Sequence, residues 1–170
     1  MSTPGDPDQR VETTLARTRD LVQSVPYVIL ATCNGPTVST RQVQPLSIDD
    51  DMAIWVGTSP RSRKVAEITD TAQATVAVEH FDAFAYASVA CDAQLVVDLE
   101  ERTHRWVEEL RPFFPDGPEG DDFVLIRLTP HSIELMDFSM DITPAPYGLV
   151  PAVIKRIDGE WRPASHPRGA

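Results

Sequence analysis

A short run of cationic residues in this sequence has the composition of an anion-binding site. Residues 61–64 read Arg-Ser-Arg-Lys and open a short helix that is predicted to follow the third strand. The N-terminus of a helix presents free N–H groups and a partial positive charge, which together favour a phosphate. Arginine adds a fork that matches phosphate oxygens, lysine a mobile charge and serine a hydroxyl donor. The run predicts a phosphate site; the alternative is a solvated helix start, since short basic runs are common.

The predicted second strand, residues 37–46, supplies another cation. Side chains alternate between the two faces of a strand. The faces carry Ser39, Arg41 and Val43 on one side and Thr40, Gln42 and Gln44 on the other. Arg41 is therefore either a second cation for the predicted phosphate site or an outward-facing strand residue.

Three helices are predicted around the strands. A stripe at Val11, Leu15, Thr18 and Val22 indicates an amphipathic helix that Pro26 ends. A second helix covers residues 61–69, with Ser59 as its cap and Pro60 in its first turn. The third covers residues 99–110, and its candidate buried residues are Leu99, Trp106 and Leu110.

The strands predict a fold that is mainly β. Apolar and β-branched runs place strands at residues 27–32, 37–46, 52–57, 74–79 and 84–97, and a last pair at 123–128 and 132–138. Asn34-Gly35 between the first two is a strong hairpin signal. About six strands with short turns and inserted helices predict a closed or nearly closed antiparallel barrel with peripheral helices.

The chain is predicted to hold one domain, residues 10–138. Residues 1–9 read as a flexible arm, and residues 139–170 as a proline-rich tail with one small hairpin around Asp158-Gly159. With 170 residues and 42% hydrophobic content, the chain can bury a real core.

Charge and cysteine content exclude several classes of function. A net charge of −11 repels phosphate backbones and anionic lipid, so neither a nucleic acid nor a membrane is an expected partner. The sequence shows no membrane-spanning stretch or secretory signal, and Cys33 and Cys91 suggest no disulfide framework, so a cytoplasmic protein is expected. The four scattered histidines predict no metal site.

Taken together, the segments resemble the FMN-binding split-barrel proteins, namely pyridoxamine 5′-phosphate oxidase and its relatives, especially the short bacterial general stress proteins. The matching motifs are Arg41-Gln-Val43, Trp55-Val-Gly-Thr58, Ser62-Arg-Lys64 and Tyr86-Ala-Ser-Val-Ala-Cys91. The resemblance covers about residues 22–138. It implies a six-stranded antiparallel split β-barrel with peripheral α-helices.

The resemblance also implies roles for particular residues. Arg41 and Lys64 would hold the FMN phosphate, with Gly57, Thr58, Ser62 and Arg63 beside them. Gln42, Val43 and Gln44 would line the edge of the isoalloxazine ring, and Tyr86 would lie near the flavin. Trp106 would approach from the other subunit, because these proteins are typically homodimers with FMN at the interface.

The leading hypothesis is an FMN-binding homodimer that moves electrons between NADH or NADPH and a small acceptor. The flavin would carry the chemistry, and no catalytic side chain is predicted. Two alternatives remain: a protein that binds flavin or another planar cofactor without turnover, and a deazaflavin-dependent reductase. The C-terminal Arg-x-His segment of true pyridoxamine phosphate oxidases is absent, so that oxidase activity is not expected.

Trp55 and Trp106 are interpreted as packing residues, and Cys91 as a small buried apolar residue.

Overall fold

A computed structural model of the protein describes residues 6–138 and 150–165. The helices are α1 (Pro7–Ser24), α2 (Arg63–Thr71) and α3 (Leu99–His104). The strands are β1 (Val28–Asn34), β2 (Thr37–Val43), β3 (Pro45–Ile48), β4 (Ile54–Thr58), β5 (Gln73–His80), β6 (Ala85–Val96), β7 (Val124–Asp137), β8 (Ala152–Ile157) and β9 (Glu160–Ala164). Short 3-10 helices lie at Phe81–Ala83, Glu108–Leu110 and Gly117–Glu119.

The strands form one antiparallel sheet that curls into a half-barrel. Their order is β2-β1-β5-β6-β7-β4-β3, and β8 pairs with both β7 and β9. The predicted Asn34-Gly35 hairpin joins β1 to β2, with Gly35 at a φ of +58°. The mainly β class and the split-barrel architecture are therefore confirmed.

The described ranges contain nine strands, more than the seven strand segments predicted individually and the six strands of the predicted barrel. One reason is that the predicted second strand divides at Gln44. Pro45 has no N–H to donate and begins β3, which pairs with β4 instead of β1. The other reason is that the C-terminal hairpin, expected in a separate tail, adds two strands to the sheet.

The predicted last pair of strands is one long strand, β7. It pairs with β4 through residues 124–128 and with β8 through residues 132–135. Pro130 lies where β7 changes neighbour, and the β6–β7 register shifts beside it, between Ala90 and Cys91. Proline cannot donate to a ladder and so suggested a break, but this local irregularity accommodates it.

Helix α1 begins earlier than the predicted start at Val11. Asp6 is its N-cap and accepts a hydrogen bond from the Asp8 N–H at 3.1 Å, while Pro7 occupies the first turn, where no N–H is needed. Residues 7–9 of the predicted arm are therefore helical, and residues 1–5 lie outside the described residues.

The main core lies between the inner face of the sheet, α1 and α2. Leu30, Val76 and Val89 bring buried side chains from neighbouring strands, and Leu21 and Ile68 contribute from the two helices. This core fixes α2 against β1 and β6, which is the arrangement that positions the candidate site.

The region after β6 differs from the predicted helix over residues 99–110. Helix α3 has only six residues and buries none of them, so Leu99 is exposed. Leu110 instead ends a short 3-10 helix and joins a second apolar cluster around Phe123, against which Trp106 packs. Helix α3 ends before it completes a second turn, so it forms no continuous apolar stripe.

The hairpin predicted around Asp158-Gly159 is present as β8 and β9. Val153 and Ile154 of β8 are buried, so the folded unit extends past the predicted boundary at residue 138. Residues 139–149 and 166–170 of the predicted tail lie outside the described residues. Within the described ranges, no helix is both long and apolar enough to cross a membrane.

Candidate phosphate site

The N-terminus of α2 lies two residues later than predicted. Ser62, rather than Ser59, is the N-cap, and Arg63 begins the helix. Residues 59–62 form a turn in which the Ser62 N–H donates to the Ser59 carbonyl at 3.0 Å, with Pro60 at the second position, as is common in such turns. The correction leaves residues 61–64 at the start of the helix but moves its first turn onto Arg63 and Lys64.

The first turn of α2 has no side-chain cap. The Ser62 hydroxyl does not accept a hydrogen bond from the helix; its Oγ lies 3.4 Å from Thr58 Oγ1, at the end of β4. The first N–H groups of a helix have no acceptor within the helix itself. Two hydroxyl groups and uncapped N–H groups therefore meet where β4 ends and α2 begins.

Lys64 brings a cation to the same place. Its Nζ donates to Thr58 Oγ1 at 2.8 Å. Among the residues that the structure describes, no carboxylate lies within ion-pair distance of this ammonium. Burial of the ammonium and, next, the like charge of Arg41 lower the pKa of Lys64. Arg41 and Lys64, from β2 and α2, thus lie near enough to repel each other.

Arg41 points to the inner face of β2, where three acceptors hold its guanidinium. Its Nη1 donates to the Leu30 carbonyl at 3.3 Å and to Thr32 Oγ1 at 2.5 Å. Its Nη2 donates to Glu67 Oε2 at 2.8 Å. Only 17% of the side chain is exposed. Unlike Lys64, Arg41 already has a carboxylate partner within the protein.

Glu67 and Thr32 were not predicted as site residues. Glu67 is 4% exposed, and its Oε2 accepts hydrogen bonds from both Thr32 Oγ1, at 2.5 Å, and Arg41. The hydrogen bond from Thr32 is the main cause that lowers the pKa of Glu67; hydrogen bonds from Ser39 and Arg41 add to it, and burial opposes them. The available sequence signal was a carboxylate between Val65 and Ile68, on the face that α2 buries.

Arg63 lies on the outside of this group. Its side chain is 65% exposed, and its Nε lies 3.4 Å from Glu67 Oε1, one helical turn away. An exposed pair of this kind contributes little to stability. We use the name candidate phosphate site for Arg41, Thr58, Ser62, Lys64 and the first turn of α2.

The residues predicted to line the isoalloxazine ring lie on two faces of the sheet. Gln42 and Gln44 are exposed on the outer face, opposite to Arg41, whereas Val43 is buried in the core. Tyr86 is 41% exposed and lies on the same outer face, three strands away in β6. It borders an open depression of about 460 Å³ that is lined by aromatic residues of the β5–β6 connection. The ring contacts themselves stay a prediction.

Gly57 and Trp106 both contact Phe123. A Cβ on Gly57 would lie 2.7 Å from Phe123 Cε2, so the strand end requires glycine for this close approach. The Trp106 ring meets Phe123 edge-on at 5.1 Å, and its Nε1 donates to Glu108 at 2.9 Å. The predicted approach of Trp106 to a partner's flavin stays a prediction.

The packing interpretations of Trp55 and Cys91 are confirmed. Trp55 is buried, donates from Nε1 to Asp49 at 2.8 Å and lies beneath the Arg105 guanidinium at 4.1 Å. Cys91 is buried in the main core, and burial raises the pKa of its thiol.

The geometry defines an antiparallel split barrel in which hydrogen-bond donors from β2, β4 and α2 lie close together. Sequence comparison agrees with this class: the family described as "Pyridoxamine 5′-phosphate oxidase like" matches residues 13–155. The chain therefore belongs to the pyridoxamine 5′-phosphate oxidase-like family. No curated protein matches the sequence.

Solved structures share the fold at low sequence identity. A general stress protein 26-related protein from Clostridium acetobutylicum is 15% identical with a TM-score of 0.70, covering 85% of this chain and 95% of that one. A pyridoxamine 5′-phosphate oxidase-related, FMN-binding protein from Nostoc punctiforme is 18% identical, with a TM-score of 0.63 and coverage of 99% and 100%. PhzG from Burkholderia lata, in complex with tetrahydrophenazine-1-carboxylic acid, is 19% identical, with a TM-score of 0.68 and coverage of 96% and 93%.

Proposed function

We propose that the protein is an FMN-binding oxidoreductase of the general stress protein type, which moves electrons between a reduced nicotinamide and a small acceptor. The observation that carries this proposal is that Lys64 lies in the uncapped first turn of α2, while Arg41 of β2 pairs with Glu67 one turn further along the same helix. A dianionic phosphate would relieve the repulsion between these cations. The FMN-binding relative of the same fold supports the choice of ligand.

In this proposal the chain binds and orients the cofactor. Lys64 would donate to the phosphate together with the Ser62 and Thr58 hydroxyls, and the N–H groups of the first turn of α2 would complete the set. When bound, FMN would supply hydride or electron transfer, which side chains do not provide. The protein contributes the cationic site and the shielding that the sheet and α2 give it.

We also propose that the protein is a homodimer. The outer face of β2, β1 and β6 and the adjoining β5–β6 connection expose several apolar side chains, namely Ile29, Val38, Tyr86, Phe81 and Phe84. Sedimentation equilibrium should give twice the 18.8 kDa mass of the chain. Val38→Glu, which places a charge on this face, should shift the equilibrium toward the monomer. A wild-type protein that sediments as a monomer would refute the dimer.

The proposed cofactor can be tested on the purified protein. Mass spectrometry of the co-purified small molecule should identify FMN, and the protein should be yellow. After the cofactor is removed, FMN should bind more tightly than riboflavin, because riboflavin lacks the phosphate. A colourless protein that binds a deazaflavin, or equal affinity for FMN and riboflavin, would contradict the proposal.

Turnover needs a separate measurement. Under anaerobic conditions, NADH or NADPH should bleach the flavin absorbance of the loaded protein, and a small acceptor should restore it. A protein that retains FMN but is bleached by neither nicotinamide would be a flavin-binding protein without this activity.

A further inference from the structure

Glu67 places a buried negative charge next to a site proposed to bind an anion. At 4% exposure, its carboxylate is shielded from water, and a negative charge near a phosphate opposes binding. Burying a carboxylate is itself costly unless it is paired and hydrogen-bonded. The packing of α2 alone therefore does not explain a carboxylate at position 67.

The contacts of Glu67 converge on Arg41. Its Oε2 accepts from Arg41 Nη2 at 2.8 Å and from Thr32 Oγ1 at 2.5 Å, and the same hydroxyl accepts from Arg41 Nη1 at 2.5 Å. With the Leu30 carbonyl at 3.3 Å, these acceptors engage three of the five N–H groups of the guanidinium. The other two, one on Nη2 and one on Nε, make no hydrogen bond with the described residues.

Glu67 also links the two cations of the site. It lies three residues after Lys64 on α2, whereas Arg41 lies on β2, 26 residues away along the chain from Glu67. Arg41 and Lys64 carry like charges, and their repulsion adds to burial, the larger cause, in lowering the pKa of Lys64. An ionised carboxylate beside Arg41 offsets part of this repulsion while no anion is bound.

We infer that Glu67 is a positioning residue: together with Thr32 it orients Arg41 so that its two remaining N–H groups serve the phosphate. This inference rests on the proposed function, since it concerns how the same site recognises FMN. Hydrogen bonds from Thr32 and Arg41 keep the carboxylate ionised at neutral pH.

A double-mutant cycle on FMN affinity tests the inference. Glu67→Ala should raise the Kd for FMN about tenfold, because Arg41 loses its orienting partner, and leave the Kd for riboflavin within about twofold. Glu67→Gln keeps an acceptor oxygen and should raise the Kd for FMN less than about threefold. Asp70→Asn, an exposed change on the same helix, is the matched control.

The cycle is completed with Arg41→Met and with Arg41→Met/Glu67→Ala. Arg41→Met alone leaves a buried carboxylate near the phosphate without its guanidinium partner on Oε2, so adding Glu67→Ala should lower the Kd for FMN rather than raise it. Glu67→Ala could instead raise the Kd for FMN equally with and without Arg41, or weaken the binding of FMN and riboflavin equally. Either result would make Glu67 a structural residue only and would overturn the inference.

A second variant protects the test against poor folding of Glu67→Ala. Thr32→Val removes the hydroxyl that links Arg41 to Glu67 while keeping the volume, and it should weaken FMN binding about threefold to tenfold without affecting riboflavin. Tight FMN binding in wild type with no effect of Thr32→Val, Glu67→Gln or Glu67→Ala would overturn this inference alone. Failure of the wild-type protein to bind FMN would overturn both the inference and the proposed function.

Discussion

Lys64 is the residue whose surroundings differ most from those of the other cations near it. The sequence presents Arg41, Arg63 and Lys64 as one group, because nothing in their types or spacing separates them. In the structure, both arginines lie beside Glu67, whereas Lys64 donates only to the Thr58 hydroxyl. The sequence could predict a cationic site. It could not predict that Lys64 lacks a carboxylate partner among the described residues, because the tertiary packing of α2 decides where Glu67 lies.

Replacing Lys64 should weaken FMN binding with little change in stability. Lys64→Ala removes a charge-assisted phosphate contact of about 1.5–3 kcal/mol, which corresponds to a Kd roughly 10- to 150-fold higher. Isothermal titration with FMN measures this effect, and Lys155→Ala, at the only other lysine and on an exposed strand position, is the control. Equal affinity in Lys64→Ala and Lys155→Ala would place the phosphate elsewhere. Arg41→Ala is a poorer first test, because it also leaves Glu67 unpaired.

The pH dependence of binding should report the Lys64 ammonium. Its pKa lies below the ordinary value of 10.5, and a bound phosphate favours the charged form and so raises that pKa. Affinity is therefore full at pH values below the pKa of the free protein and falls as pH rises through it. The ratio of riboflavin to FMN Kd, measured from neutral to alkaline pH, should decline before pH 10.5, and Lys64→Arg should delay the decline. A flat ratio would show that Lys64 does not face the phosphate.

For most elements, local sequence rules predicted whether a segment is a helix or a strand better than they predicted where it begins and ends. The Asn-Gly hairpin and the C-terminal hairpin follow from turn chemistry within a few residues. The start of α2 could not be predicted in this way, because Ser59-Pro60 fits a helix cap and a turn equally well. In the structure Ser62 is the cap, and Lys64 therefore lies in the first turn of α2.

The end of β4 should tolerate no side chain at Gly57. In Gly57→Ala the new Cβ would overlap the Phe123 ring, and overpacking of this kind costs about 1–3 kcal/mol. Denaturant unfolding measures the loss. Phe123→Leu should cost stability alone but recover part of the loss in the Gly57→Ala background, because it removes the overlapping ring. Additive effects of the two changes would show that the ring is not the obstacle.

At the scale of the whole molecule, the family resemblance predicted the barrel but not which residues, distant in sequence, contact one another within it. Thr32 and Glu67 are 35 residues apart in sequence, and β7 meets both β4 and β8 through contacts that no local pattern records. The tail illustrates the same limit. Its proline content suggested a separate segment, yet β8 pairs with β7, and its buried Ile154 lies opposite Ile133 in the main core.

A chain truncated after residue 149 should lose cooperative folding. Removing β8 and β9 exposes the edge of β7 at residues 132–135 and uncovers core residues such as Ile133 and Leu135. Circular dichroism during thermal unfolding should show a broad transition or aggregation, whereas a chain truncated after Ala164 should melt as the full chain does. A sharp transition in the shorter chain would restore the predicted domain boundary at residue 138.

The change of neighbour along β7 has a practical consequence. Thr58 ends β4 opposite Val124, whereas β8 pairs with residues 132–135 of β7 and then runs back beside the β3–β4 turn, where Arg156 donates to the Asp51 carbonyl at 3.1 Å. That turn precedes β4, so the exposed tip at Asp158-Gly159 lies at the opposite end of β4 from Thr58, about 13 Å along the strand axis. A fluorophore or surface tether attached there would allow immobilisation for single-molecule work while the anion-binding end stays accessible from solution.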